Sequence, residues 1–286
     1  MKHAVIDIGS NSVRLMTVAD GKVLYKRLKT TRLGEGISFS ARLSRQAIDR
    51  TANAVAEFYA QAISEGIFSV YAFATAAVRS AENGADFTEK VKALCGLSVE
   101  VISGEKEAEI GVLGALGTGR GGLIDVGGAS TEVIVKNEQE ILYKKSLNIG
   151  VVRLKDTCGR DLPKLTHVCA ETVKEYGDIP LGYEMYAVGG TATTLAALYL
   201  DLPKYDGEKV TGTKLSLTDL EKAVERLANS SVEEIARHPC VDEKRADVLL
   251  GGAVVLLEIV KRYGFSGLTV SDRDNLEGYA ITKGLL

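Results

Sequence analysis

Asp7, Gly9, Ser10, Asn11 and Ser12 follow one another in "IDIGSNSVRL", and similar types return as Asp125, Gly127, Gly128, Ala129 and Ser130 in "IDVGGASTEV". In each stretch an acid stands near the end of an apolar run, and the residues after it let the backbone turn tightly. Glycine carries no Cβ to hold a ligand away from the main chain, and successive exposed N–H groups form a concavity for an anion. A carboxylate alone is unsuited to phosphate. With Mg²⁺ between them the two become compatible, because this hard cation binds acid and phosphate oxygens together. The chemistry indicated is the handling of a polyanion through a divalent cation. One such turn reads equally well as an ordinary hairpin; two in register favour the clamp.

The elements that position these turns repeat as well. Ile6–Leu28 lies over Ile124–Ser146 without a gap, with identities at Ile6/Ile124, Asp7/Asp125, Gly9/Gly127, Ser12/Ser130, Leu24/Leu142, Tyr25/Tyr143 and Lys26/Lys144. The constant offset far exceeds solenoid periods of about 20 to 50 residues, so two copies of a whole domain are expected. Alternating apolar residues and a "DG" turn predict a three-stranded meander in the first copy. A helix is expected from Ser44 to about Glu65, then a strand entering a helix at "SVYAFATAAVR", a strand at "LSVEVIS", and a helix at "GEKEAEIGVLGAL" opened by Ser103 or Gly104. The second copy again gives strand, turn, strand, turn, strand. After it come the glycine-rich strand end "YAVGGTATTLAAL", helical patterns at Leu217–Ala228, Val232–Ala236 and Arg245–Arg262, the strand "GLTVSD" and a short final helix. This is an α/β pattern. The domains expected are 1–118 and 119–286, joined by a tight glycine hinge near Gly117–Gly121, with a terminal helix at about 275–286 packing back on the first.

With 286 residues and 45% hydrophobic content the chain can bury two cores of ordinary size. The apolar stretch Val248–Val260 is shorter than a membrane span and contains Glu258, so it reads as a buried helix. The N-terminus enters a strand almost at once, and a cytoplasmic protein is expected. Cys95, Cys158, Cys169 and Cys240 form no CxxC pair, and Cys158, His167 and Cys169 match no standard zinc spacing. A net charge of -3 argues against broad nucleic-acid binding.

The turns resemble those of the actin-like ATPase and sugar-kinase superfamily. A longer match is similar to the exopolyphosphatase and guanosine pentaphosphate phosphatase family. It runs through "DIGSNSVRL", "RLGEG", "ATAAVRSAEN", "ISGEKEAE", "IDVGGASTE", "IGVVRL", "VGGTATTLAAL", "RADVLLGGA" and "VSDRDNLEG", in order along the whole chain. The resemblance implies two actin-like (ribonuclease H-like) domains related by duplication, with a cleft between them, in the family's short two-domain form. It implies hydrolysis of terminal phosphoanhydrides in inorganic polyphosphate or guanosine pentaphosphate with Mg²⁺ (or Mn²⁺), a homodimer being left open. Two rival functions stay open: an ATP-dependent phosphotransferase, in which "VGGTATTLAAL" would receive a nucleotide, and a catalytically weak polyphosphate or alarmone sensor.

Such hydrolysis needs neutralised phosphate charge, an in-line water and a group that deprotonates it. The resemblance nominates Glu107 as water activator. Arg79 fits a phosphate clamp or a structural ion-pair partner. Asp125 and Glu132, with Asp7, are candidate Mg²⁺ ligands; Ser10, Asn11, Arg32, Gly127, Gly128, Ala129 and Ser130 are candidate phosphate-binding positions. Two departures from the family pattern stand out. Ala129 takes the place of a third glycine, and Lys106 that of the first of two adjacent glutamates.

Overall fold

The computed structural model describes residues 1–286, the side chain at position 38 excepted. The chain divides into two compact units, Met1–Gly114 with Asn275–Leu286, and Ala115–Asp274.

The first unit is built on β1 (Lys2–Ile8), β2 (Ser12–Ala19), β3 (Lys22–Thr30), β4 (Ser69–Ala74) and β5 (Glu100–Val101), in the spatial order β3-β2-β1-β4-β5. The first three strands are antiparallel neighbours, whereas β4 and β5 run parallel to β1. Alternation buries β1 on both faces. Ala4, Ile6 and Ile8 join the Arg45–Ser64 helix, capped by Ser44, in one core, and Val5 joins Phe73, Ile110, Leu276 and Tyr279 in another. Asp7 shares the parity of Val5. That second face is covered by the Gly104–Leu116 and Asn275–Thr282 helices, where Phe73 and Tyr279 stack with centroids 4.5 Å apart.

The second unit contains β6 (Gly121–Val126), β7 (Thr131–Lys136), β8 (Ile141–Leu147), β9 (Met185–Val188), β10 (Lys214–Ser216) and β11 (Gly267–Val270), ordered β10-β11-β9-β6-β7-β8. Without β10 this is the same topology as the first sheet. The likeness extends to detail. The β2/β3 register shifts between Thr17 and Val18, and the β7/β8 register shifts between Val135 and Lys136, the equivalent position of the repeat. The expected fold class, an α/β protein duplicated from one mixed-sheet domain, is what the chain adopts. Its largest core gathers the inward residues of β6 and β7 with the helices Val151–Cys158, Leu162–Val173, Leu217–Asn229 and Leu249–Tyr263.

Two expectations are corrected. The strand read in "LSVEVIS" is ordered only at Glu100–Val101, because it is an edge strand paired with β4 over two residues and its chain bends at once toward the helix beginning at Gly104. The helix expected from Arg245 starts at Leu249; before it, the Asp242 side chain accepts from Lys244 N–H and holds Glu243–Arg245 in a 3₁₀ turn. Among the described residues no helix is long and apolar enough to cross a membrane.

Candidate active site

In the first unit the chemistry-bearing residues emerge where parallel strands end, the edge at which α/β sheets present loops to ligands. Thr75 N–H donates to Ile8 O at 3.2 Å and Ile102 N–H to Ala74 O at 3.0 Å, so the ends of β1, β4 and β5 lie side by side. β4 and β5 each lead into a helix, Ala76–Ser80 and Gly104–Leu116. Arg79 rides on the first and Glu107 in the first turn of the second. The structure brings these two together: Arg79 Nη1 donates to Glu107 Oε2 at 2.8 Å and to Ile102 O at 3.0 Å. The Glu107 side chain is 10% exposed and that of Arg79 29%. The carboxylate is thus held by a cation with a wetter flank.

The first hairpin turn is closed by Gly9 N–H donating to Ser12 O at 3.0 Å, and Ser10 O accepts from Gly34 N–H at 2.8 Å. Asn11 O accepts from the N–H groups of Thr31 and Arg32. Arg32 therefore lies beside the turn, in a left-handed conformation at φ 52° that costs about 1 kcal/mol or more in a non-glycine residue. Arg50 stabilises this loop by donating to Thr31 O and Arg32 O. Asp7, directly opposite Arg14 across the β1/β2 pair, forms an ion pair with it.

The second turn repeats these bonds. Gly127 N–H donates to Ser130 O at 2.9 Å, and Gly128 O accepts from Val152 N–H at 2.8 Å. Here the backing is a helix N-terminus, since Val151 N–H also donates to Gly127 O. Gly150 makes this approach possible: a Cβ there would stand 2.5 Å from Gly128 C and O. Arg153 Nε donates to Ala129 O at 2.8 Å, while Tyr176 OH donates to Thr131 O at 2.7 Å. Burial, with the Glu132 charge adding to it, pushes the Tyr176 phenol up, so it stays a neutral donor. The turn's carbonyls are fixed from behind. Ala129 is 2% exposed and is not among the non-glycine residues with positive φ, so its methyl packs inward without strain.

Asp125 and Glu132 stand directly opposite each other on β6 and β7, hence on one face. Glu132 is buried and its Oε1 accepts from Ser146 Oγ at 2.6 Å. Past the end of the neighbouring β9 comes Gly189, at φ 79°, where a Cβ would lie 2.7 Å from Asp125 Oδ1. A Cβ on Gly190 would fall on the Arg245 guanidinium. At this helix N-terminus the absent side chains thus leave room for the Asp125 carboxylate beside Gly189 and for the Arg245 guanidinium beside Gly190. Arg245 and Arg153 were not singled out from the sequence. Their place in the quoted motifs "RADVLLGGA" and "IGVVRL" was the signal available.

A profile of the Ppx/GppA phosphatase family matches residues 15–283. The chain belongs to the Ppx/GppA phosphatase family. It is similar to Exopolyphosphatase 2 of Mycobacterium tuberculosis, 32% identical over 311 aligned positions that cover 98% of this chain and 97% of that protein. It is 26% identical to guanosine-5'-triphosphate,3'-diphosphate pyrophosphatase of Aeromonas hydrophila, covering 99% of this chain and 58% of that one. Among solved structures, the Aquifex aeolicus member of the Ppx/GppA family is 30% identical and superposes with a TM-score of 0.80, covering 100% of this chain and 98% of its own. The resemblance carried by the turn motifs is therefore the family of the chain. Both duplicated hairpins lie within this Ppx/GppA match or at its N-terminal edge.

Proposed function

We propose that this Ppx/GppA protein hydrolyses terminal phosphoanhydride bonds, releasing orthophosphate from inorganic polyphosphate, with guanosine pentaphosphate as an alternative or additional substrate. The observation that carries the reading is the Arg79–Glu107 contact: a carboxylate in the first turn of a helix, held by a guanidinium with an exposed flank. An incoming phosphate competes with Glu107 for Arg79, since guanidinium pairs well with either anion. Glu107 so released orients a water and takes its proton as the water oxygen bonds to the terminal phosphorus. The bridging P–O bond breaks, and the shortened chain leaves with that bond's electron pair. The names of the relatives above agree with this substrate class.

The donor set also fits the divalent cation expected of this family. Among the described residues no three or more His, Cys, Asp or Glu side chains cluster as a protein-only metal cage. Mg²⁺ is commonly held by one or two carboxylates together with substrate phosphates, and Asp125 and Glu132 provide such a pair on one face. Bound there, Mg²⁺ would neutralise phosphate charge. Asp7 has the Arg14 guanidinium beside it and is the weaker ligand candidate. The N–H groups of Gly128 and Ala129, the Ser130 hydroxyl and the loop carrying Ser10, Asn11 and Arg32 are the phosphate contacts in this reading.

The Gly189–Gly190 turn with Arg245 favours a second reading, an ATP-dependent phosphotransferase, because a glycine turn at a helix N-terminus receives nucleotide phosphates. The features that motivated a weak sensor lose force: Ala129 is buried, and Lys106 is half-buried with its ammonium 3.9 Å from Glu109. Time-resolved orthophosphate release from polyphosphate, guanosine pentaphosphate and ATP, with and without Mg²⁺ and with no acceptor present, tests the proposal. Release from the first two that requires Mg²⁺ supports it; turnover of ATP alone, and only with an acceptor, overturns it.

A further inference from the structure

The row Asp125, Glu132, Ser146 crosses β6, β7 and β8 as directly opposed residues, and the equivalent row in the first unit is Asp7, Arg14, Leu28. Two neighbours in this row have changed together. Where one copy pairs Arg14 with an apolar Leu28, the other pairs a buried Glu132 with a hydroxyl that donates to its Oε1 at 2.6 Å. A serine on an outer strand, with its side chain on an exposed residue, has no packing duty there.

From this we infer that Ser146 is a positioning residue for the cation: its hydroxyl fixes the rotamer of the Glu132 carboxylate, so that the second oxygen, Oε2, is presented beside Asp125. The inference rests on the assignment of Asp125 and Glu132 as cation ligands. A carboxylate has two equivalent oxygens and a freely turning terminal torsion. A hydrogen bond to one oxygen selects which oxygen faces the ion and lowers the ordering entropy lost on binding, as outer partners of metal ligands do. The hydroxyl also tempers the repulsion between two acids directly opposite each other in a sheet. Leu28 has no corresponding task, because Arg14 meets Asp7 by its own charge.

The test is direct titration of the full chain with Mn²⁺, followed by electron paramagnetic resonance, for wild type, Ser146→Ala, Ser146→Thr and Glu132→Gln. Alanine is expected to weaken Mn²⁺ binding about 10-fold, threonine to restore it because it keeps the hydroxyl, and thermal unfolding to stay unchanged in both. Mn²⁺ binding by Ser146→Ala equal to wild type, with Glu132→Gln weakened, would overturn the role of Ser146 and leave the ligand assignment standing. Equal binding by all four proteins would overturn the ligand assignment itself.

Discussion

Asp7–Arg14 and Asp125–Glu132 are the same pair of positions in two copies of one hairpin, with the same closing hydrogen bond, the same carbonyl held from behind and the same register shift farther along. Their charges differ. In the first unit the acid meets a guanidinium, and farther along the same face Lys26 meets the buried Glu277 of the terminal helix at 2.7 Å. In the second unit acid stands opposite acid, and the repeat equivalent of Lys26, Lys144, is exposed. The lesson is that one backbone serves two ends. Under the proposed function, the ion-paired hairpin stabilises a fold whose chemistry issues from the next strands, at Arg79 and Glu107, whereas the hairpin with two facing acids would take a cation and its phosphate.

If the first unit acts through its neighbouring strands rather than its hairpin, the largest effect belongs to Glu107. Glu107→Gln keeps the size of the side chain and removes its basicity, so kcat for orthophosphate release should fall roughly 10²-fold to 10⁴-fold, with KM and thermal midpoint near wild type. Full kcat in that variant would return the water's partner to the other acids.

Next comes Arg14→Met, which leaves a 4% exposed Asp7 carboxylate without its guanidinium and should cost about 3 kcal/mol in denaturant unfolding. The mirror change, Glu132→Gln, removes one of two facing acids and should leave the midpoint unchanged or raised. Equal stability losses in the two variants would erase the distinction between the hairpins.

Gly150→Ala should destabilise by about 2 kcal/mol through overpacking and weaken polyphosphate binding, because its methyl would press on Gly128. Gly34→Ala, behind the first turn with Ser10 Cβ at 3.1 Å, should be milder in both. The smallest effect is expected of Tyr176→Phe, which removes the donor to Thr131 O for about 1 kcal/mol. The raised pKa of the buried phenol gives this loss a pH signature. Its contribution is full below the unfolded value of 10.0 and is lost as pH climbs above it, so alkaline unfolding curves of the variant should be flatter than those of wild type.

The hairpins were legible in the sequence because a repeat in register announces itself, and short apolar runs bounded by glycine turns mark β1 and β2. Arg79 and Glu107 were each legible singly, from motif and helix start; that they touch was not, because the contact depends on two parallel strands ending side by side. Arg245, Arg153 and Ser146 escaped for the same reason. Each acts on a residue distant in sequence, through a glycine that admits it, a carbonyl it holds, or a cross-strand register that no local pattern reveals. β5 was overread because the apolar alternation of "LSVEVIS" continues where pairing has already stopped.

The central claim, that the second hairpin binds the cation for phosphate release, is met most directly by titrating Mg²⁺ while following orthophosphate release from polyphosphate by wild type, Asp125→Asn and Asp7→Asn. The account predicts that Asp125→Asn needs about 10-fold more Mg²⁺ or more, while Asp7→Asn keeps the wild-type midpoint whatever its stability. Coincident activation curves for wild type and Asp125→Asn, or a shift confined to Asp7→Asn, would contradict it.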